Sequence, residues 1–120
     1  MTEQIRRIVP NISTERMDES VKFYTEFVGL NVVMDMGWIV TLASPNNPTA
    51  QLSLIKADSP GNNQSFSITI EVADVVASHA KAVSLGLCIN YPLTDEPWGV
   101  RRFGVTDPNG LSINIMSHIK

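Results

Sequence analysis

The sequence predicts an α+β fold made of two tandem βαβββ modules. The order of one strand, one helix and three strands can be followed twice along the 120 residues. The two helix candidates end at Gly29 and Gly86, which lie 57 residues apart (86 − 29). The segment "DSPGNNQ", Asp58–Gln64, is rich in turn-forming residues and marks the joint between the copies. Because neither half covers its own sheet, we expect the halves to pair within a single domain, residues 1–120.

The first module, at about residues 5–56, begins with a strand candidate at Ile5–Ser13 that is rich in β-branched residues. Ser13 or Thr14 is then expected to cap a helix, which ends at Gly29. An apolar stripe with spacings of four, three and four runs along this helix: Met17, Val21, Tyr24 and Val28. Three more strand candidates follow: Leu30–Asp35, Trp38–Ala43 and Gln51–Ile55.

The second module, at about residues 65–118, repeats this order. The alternating segment Phe66–Val72 predicts a strand, Asp74 is the expected helix N-cap, and Gly86 ends the helix. We expect this helix to bury one apolar stripe: Val76, Ala80 and Val83. Three strand candidates complete the module: Cys88–Tyr91, Arg101–Thr106 and Leu111–Met116. The segment Asp107–Gly110, "DPNG", predicts a hairpin turn before the last strand.

Composition and charge narrow the class of protein. With 43% hydrophobic and 18% charged residues, the chain has the composition of a globular protein. Cys88 is the only cysteine and is expected to be a small buried residue. Because a single cysteine forms no intrachain disulfide, a cytoplasmic location is expected. The net charge of −3 provides no basic surface for nucleic acid. No apolar run approaches the roughly 20 residues that span a bilayer, so no membrane partner is expected.

Several strands alternate between an apolar and a polar face. In the strand from Phe66 the apolar residues alternate with Ser67, Thr69 and Glu71. The last strand repeats this pattern around Asn114, and the strand before it places Arg102 on the polar face. The apolar faces are expected to pack against the helices. The polar faces are therefore either solvated or the lining of a ligand cavity.

The duplicated order and two segments, "SVKFYTEFVGL" and "FGVTDPNGLSINI", resemble the vicinal oxygen chelate superfamily. This superfamily includes glyoxalase I, extradiol dioxygenases and bleomycin-resistance proteins, and the resemblance covers essentially the whole chain. It implies that the two modules fold their sheets into an open, cupped barrel that holds a small-molecule ligand. It also implies a homodimer, which many relatives form.

The resemblance further indicates where a metal would be held. Metal-using members place His or Glu on the first and last strands of each module, and the corresponding positions here are Val9, Ser53, Ser67 and Asn114. Valine cannot ligate a metal, and the hydroxyl and amide groups are weak, uncharged ligands for zinc or iron. We therefore expect no metal and no cofactor, a pattern closest to the metal-free members that resemble bleomycin-resistance proteins.

Two side chains stand out as ligand contacts. Trp98, in "PWG", is predicted to stack on a planar ligand, although a rim or dimer contact would also explain it. Arg102 would bind a carboxylate or phosphate with its guanidinium if it is not simply solvated. For Trp38, core packing is at least as good an explanation. The full set of predicted ligand-binding residues is Asn11, Trp38, Ser67, Thr69, Trp98, Arg102 and Asn114.

The predicted function is to bind a small, partly aromatic or amphipathic molecule without catalysing a reaction on it. One alternative is a lyase, isomerase or dioxygenase of the same superfamily, with a metal held by other residues or with a buried Glu71 as the base. A second alternative is an interaction or regulatory module. No Ser/His/Asp or Cys/His combination and no phosphate-binding glycine loop is visible in the sequence.

Overall fold

A computed structural model describes residues 4–58 and 66–119 and has the predicted α+β fold, with two four-stranded sheets. The chain divides into two compact units, residues 1–61 and 62–120. Both units show the predicted order of strand, helix and three strands. None of the helices in the described part of the chain is long and apolar enough to cross a membrane.

The first unit has the sheet order β1-β4-β3-β2, in which β1 runs parallel to β4 and the other pairs are antiparallel. Its elements are β1 (Asn11–Thr14), α1 (Met17–Lys22), β2 (Asn31–Asp35), β3 (Ile39–Ala43) and β4 (Gln51–Lys56). Helix α1 continues directly into a π-helical turn, Phe23–Phe27. Tyr24 of this turn is fully buried, together with Ile12 and Leu54 of the sheet.

The second unit repeats this topology with the sheet order β5-β8-β7-β6, and β5 runs parallel to β8. Its elements are β5 (Ser67–Glu71), α2 (Val75–Ser84), β6 (Ile89–Asp95), β7 (Val100–Thr106) and β8 (Ser112–His118). Buried apolar residues of β7 and β8 form its core: Phe103, Val105, Ile113 and Ile115. The alternation predicted for these two strands is thus confirmed. Asp74 caps α2 as predicted, since its carboxylate accepts the Ala77 N–H at 3.0 Å.

The buried face of α2 differs from the prediction. Val75 and Ala82 are buried and His79 packs its ring edge against Phe103 at 5.1 Å, whereas the predicted stripe Val76, Ala80 and Val83 is exposed. Small apolar residues occur at two helical repeats that are offset by one residue, and periodicity alone does not distinguish them. Packing on the ring of Phe103 selects the repeat that contains His79.

Three local predictions in the chain are also corrected. The first strand begins at Asn11 rather than Ile5, and Pro10 just before it has no N–H to donate to a sheet. The first helix is capped by Arg16 without a side-chain bond. Thr14 instead accepts the Arg16 N–H at 2.9 Å. Cys88 lies before β6 and is exposed rather than buried.

Candidate functional site

The polar face of the second sheet brings predicted site residues together. The strand register aligns Thr69 of β5 with Asn114 of β8, Asn114 with Gly104 of β7, and Gly104 with Tyr91 of β6. The next row on the same face contains Arg102 and Met116. Side chains from four strands therefore meet on one face of this unit.

Arg102 lies at the centre of a hydrogen-bonded group. Its Nε donates to Glu96 Oε2 at 2.7 Å, and its Nη1 donates to Asn114 Oδ1 at 3.2 Å. Its guanidinium carbon lies 4.1 Å from the centre of the Tyr91 ring, a cation–π distance. The Tyr91 hydroxyl donates to the same Glu96 oxygen at 3.0 Å, and Asn114 Nδ2 donates to Thr69 Oγ1 at 3.3 Å. We call these five residues the Arg102 cluster.

The charges of the Arg102 cluster are partly withdrawn from water. The side chain of Glu96 is only 9% exposed and that of Arg102 is 26% exposed. A carboxylate so far removed from solvent needs partners, and here it accepts hydrogen bonds from one cation and one phenol. The pair is thus less exposed than an ordinary surface ion pair.

Gly104 and an irregular β6 make this arrangement possible. The pairing of β6 with β7 is shifted between Ile89 and Tyr91, so that one extra residue, Asn90, lies opposite Gly104. A Cβ atom at Gly104 would lie 2.1 Å from Asn90 Oδ1 and 3.1 Å from Tyr91 Cβ. Glycine therefore leaves the space that Asn90 and Tyr91 occupy, and Arg102 contacts both neighbours of Gly104 in the row, Asn114 and Tyr91.

Ser67 lies at the other end of this polar face. It pairs in register with Ser112, whose hydroxyl accepts from Asn90 Nδ2 at 3.3 Å. The same Asn90 nitrogen donates to Thr106 Oγ1 at 2.9 Å. A second group of hydroxyl and amide side chains thus extends the hydrogen-bonding surface beyond the Arg102 cluster.

Trp98 occupies the turn of the β6–β7 hairpin, directly after Glu96 and Pro97. The Gly99 N–H donates to the Glu96 carbonyl at 3.1 Å, the Glu96 N–H donates to the Val100 carbonyl at 2.8 Å, and Gly99 has a φ of 91°. This is a tight turn closed by a glycine in the left-handed region. Trp98 is 66% exposed, so its indole is available to a ligand or partner.

Trp38 occupies the equivalent hairpin of the first unit, between β2 and β3. The Met36 N–H donates to the Ile39 carbonyl at 3.0 Å across Gly37, whose φ is 83°. Trp38 is 56% exposed, which excludes the core packing that the sequence left open within this unit. The two tryptophans therefore take corresponding positions in the duplicated modules.

The polar face of the first sheet carries Asn11, which is exposed and pairs in register with Ser53. Ser53 is buried and shares a 2.7 Å hydrogen bond with the hydroxyl of Thr41 on the neighbouring strand. Val9 precedes β1 and is half-buried. Two of the four positions at which relatives would hold a metal thus contribute one bonded hydroxyl and one aliphatic side chain.

The other two such positions, Ser67 and Asn114, are no better suited to a metal. The Asn114 carbonyl oxygen already accepts from Arg102, so a bound cation would face a guanidinium. Among residues 4–58 and 66–119, no three His, Cys, Asp or Glu side chains form a group that could hold a metal ion. The donor set of this chain therefore does not fit the zinc or iron site of metal-using relatives.

Glu71 does not have the surroundings expected of a buried base. Its side chain is 64% exposed and lies 3.8 Å from His118 Nε2. The catalytic alternative required this carboxylate to be withdrawn from water, which the structure contradicts.

A second ion pair, Asp95 with Arg101, lies beside the Glu96–Arg102 pair in sequence but is far more exposed. The Arg101 guanidinium donates to both Asp95 oxygens, from Nη2 at 3.0 Å. This hydrogen bond lowers the pKa of Asp95 below its ordinary value, loss of hydration opposes the shift, and charge attraction reinforces it. Because the folded pKa lies below the unfolded one, the stabilisation is present above the unfolded pKa and is lost as the pH falls through the folded pKa.

Sequence reasoning identified three members of the Arg102 cluster, Thr69, Arg102 and Asn114, and missed Tyr91 and Glu96. The shifts in β6 pairing conceal which face Tyr91 occupies, because each extra residue reverses the alternation. Glu96 follows the end of β6, where no strand pattern applies. One signal in the sequence was available: Glu96 lies six residues before Arg102, and the proline and glycine between them favour a turn that brings the two together.

The sequence model of the Glyoxalase/Bleomycin resistance protein/Dioxygenase superfamily matches residues 4–115. Among the curated proteins no significant match is found.

Solved structures share the fold at low sequence identity. TioX from Micromonospora sp. ML1 is 18% identical with a TM-score of 0.78, covering 94% of this chain and 98% of its own. A superfamily member from Sphaerobacter thermophilus DSM 20745 is 18% identical with a TM-score of 0.76, and the match covers 96% of this chain and 98% of the other. A third structure, a glyoxalase/bleomycin resistance protein/dioxygenase from Nocardioides, is 15% identical with a TM-score of 0.74, and the match covers 100% of this chain and 87% of the other. At such identities the likeness concerns the fold alone.

Proposed function

The chain belongs to the Glyoxalase/Bleomycin resistance protein/Dioxygenase superfamily, and from this premise we propose that it binds a small, partly aromatic or amphipathic molecule without a metal and without transforming it. The observation that carries the proposal is the Arg102 cluster. At a position where relatives place a metal ligand, this chain has an asparagine bonded to an arginine. Hydrogen-bonding groups thus replace metal-ligating groups on a face that remains polar.

Each predicted contact has a distinct role in this proposal. Trp98 supplies a flat apolar surface on which an aromatic ring stacks. Asn114, Thr69 and Ser67 supply amide and hydroxyl groups that orient the polar edge of the ligand. Arg102 provides the remaining donors of its guanidinium. Asn11 and Trp38, on the first unit, stay predicted contacts.

Among residues 4–58 and 66–119, Glu71, His118 and Glu96 give the catalytic alternative no support. Metal-free proton transfer needs a carboxylate or imidazole that is positioned to reach the substrate and free to exchange a proton with it. Glu71 and His118 are both exposed. Glu96 is withdrawn from water but is committed to Arg102 and Tyr91.

The direct test is a binding screen without metal. Tag-free protein, treated with EDTA, is titrated with a panel of planar aromatic compounds while the backbone and indole N–H signals are followed by NMR. We expect saturable shifts at Trp98 and at residues of the Arg102 cluster with at least one compound. Shifts confined to other surfaces, or binding that appears only after zinc is added, would contradict the proposal.

We predict that the purified protein carries far less than one zinc, nickel, manganese or iron ion per chain. The reason is the donor set at the four family positions: one valine, two serines and an asparagine. Elemental analysis measures the content, and thermal unfolding with added metal measures affinity. A metal at 100 times its Kd would stabilise the folded state by about 2.7 kcal/mol, whereas we expect no shift. Close to one metal per chain, removable together with an enzymatic activity, would disprove this.

We further propose that two copies of the chain associate. Strand β2 is an edge of the first sheet, every residue in it is exposed, and three consecutive residues, Val32, Val33 and Met34, are apolar. An exposed apolar edge strand invites pairing with another chain, and a second copy is the partner always present at equal concentration.

Light scattering at micromolar concentration is expected to give the mass of a dimer. Val33→Lys should shift the mass towards the monomer, because it places a charge on this edge without disturbing the core. Val83→Lys is the matched control, since Val83 on α2 is 60% exposed and Val33 is 56% exposed. A monomer mass for the unmodified protein, or dissociation by Val83→Lys alone, would exclude β2 as the interface.

A further inference from the structure

We propose that Glu96 sets the charge of the ligand: by neutralising Arg102, it makes this site select neutral, hydrogen-bonding aromatic molecules over aromatic carboxylates. The inference rests on the proposed binding function and changes the role predicted for Arg102. The sequence suggested that Arg102 either binds an acidic ligand or is a solvated surface residue. In the structure an internal carboxylate already takes that place, because Arg102 Nε donates to Glu96 at 2.7 Å.

Glu96 already occupies one side of the Arg102 guanidinium at which a carboxylate would bind. An external carboxylate binds arginine best through two parallel N–H groups. Here Nε is directed at Glu96, Nη1 at Asn114, and one face of the group lies over the Tyr91 ring at 4.1 Å. The parallel N–H pair on Nε and Nη2 is therefore interrupted at Nε for an external anion, and the N–H groups that remain on Nη1 and Nη2 can donate to a carbonyl or hydroxyl oxygen.

The charges of the Glu96–Arg102 pair also favour a neutral ligand over an anionic one. Arg102 and Glu96 together carry no net charge, so an anionic ligand gains little attraction from the pair. An anion that approaches Arg102 also approaches the Glu96 carboxylate, whose side chain is only 9% exposed and therefore weakly screened by water. A neutral amide meets donors and acceptors without this repulsion.

Glu96 is itself held in place. Its Oε2 atom accepts from both Arg102 and the Tyr91 hydroxyl. Its backbone is fixed by the turn that carries Trp98, through hydrogen bonds with Gly99 and Val100. The residue that sets the charge is thus two positions from the proposed stacking surface.

The first arm of the test uses unmodified protein and two probes of equal shape, benzamide and sodium benzoate. NMR titrations at constant ionic strength follow the Trp98 indole and the Arg102 Nε–H signals. We expect benzamide to shift both signals at lower concentration than benzoate. Equal or tighter binding of benzoate would overturn the inference and leave the proposed binding function intact.

The second arm compares Glu96→Gln with Asp95→Asn, which removes the same charge from the neighbouring exposed pair. Glu96→Gln should strengthen benzoate binding roughly 10- to 100-fold, because it removes the negative charge that opposes an anion at Arg102 and leaves the guanidinium charge unneutralised. It should leave benzamide binding nearly unchanged, and Asp95→Asn should change neither. An equal gain in both variants would reduce the effect to net charge and overturn the inference.

The remaining outcomes are also decisive. If neither probe shifts the Trp98 and Arg102 signals in the unmodified protein or in Glu96→Gln, both the inference and the ligand surface proposed here fail. If Glu96→Gln does not fold, the probe preference of the unmodified protein still decides the question. Glu96→Asp, which keeps the charge, should then retain the preference for benzamide, and a preference for benzoate in that variant would contradict the inference.

Discussion

Arg102→Ala is expected to lower the free energy of unfolding by about 2–3 kcal/mol. The substitution leaves the Glu96 carboxylate, 9% exposed, without its cationic partner. Breaking a fully buried pair costs about 3–5 kcal/mol, and we expect less here because the Arg102 side chain keeps contact with water. The loss also removes the contact with the Tyr91 ring and the hydrogen bond to Asn114. Urea unfolding followed by circular dichroism measures the change as a lower midpoint at an unchanged slope.

Arg101→Ala provides the matched control on the same strand. Arg101 pairs with Asp95, which is exposed, and such surface pairs contribute about 0–1 kcal/mol. We therefore expect the two variants to differ by at least about 1 kcal/mol. Equal losses of stability in the two variants would mean that the Glu96–Arg102 pair behaves as a surface contact. The view that the Arg102 cluster organises the candidate site would then be wrong.

Trp98→Ala is expected to weaken binding of planar aromatic ligands about 5- to 150-fold, the effect of losing roughly 1–3 kcal/mol of stacking. The fold should tolerate the change, since a tryptophan that is 66% exposed contributes little packing. Titration of benzamide, or of the tightest compound from the aromatic panel, measures affinity. Thermal unfolding of the same samples measures stability, so that the two effects are separated.

Trp38→Ala is the control for Trp98→Ala, because Trp38 occupies the corresponding hairpin of the first unit and is exposed to a similar degree. A loss of affinity in both variants would assign ligand contact to both hairpins, as the sequence predicted. If Trp98→Ala binds every compound as tightly as the unmodified protein, or unfolds, Trp98 is structural and takes no part in recognition.

Much of the fold could be predicted because its determinants are local. Asp74 caps a helix through a bond to a residue three positions away, and Gly29 and Gly86 adopt positive φ values of 91° and 69° where the helices end. The turn at Asp107 forms as expected, with the Gly110 N–H donating to the Asp107 carbonyl at 3.1 Å. In β7 and β8 the alternation around Phe103–Val105 and Leu111–Ile115 was sufficient to assign the faces.

The centre of the site depended on contacts that no local pattern contains. Thr69, Arg102 and Asn114 share a polar face that the sequence predicts, but their partner Tyr91 reaches that face only because the pairing of β6 shifts opposite Gly104. Glu96 approaches Arg102 through the hairpin turn, so Arg102, which the sequence predicted to be either an anion-binding or a solvated residue, forms an internal ion pair. Likewise, only packing against Phe103 chose between the two stripes of α2. Local periodicity determined which face each residue of a regular strand occupies. Strand irregularity and non-local charge pairing depend on neighbouring strands, and they determined which groups the candidate site exposes.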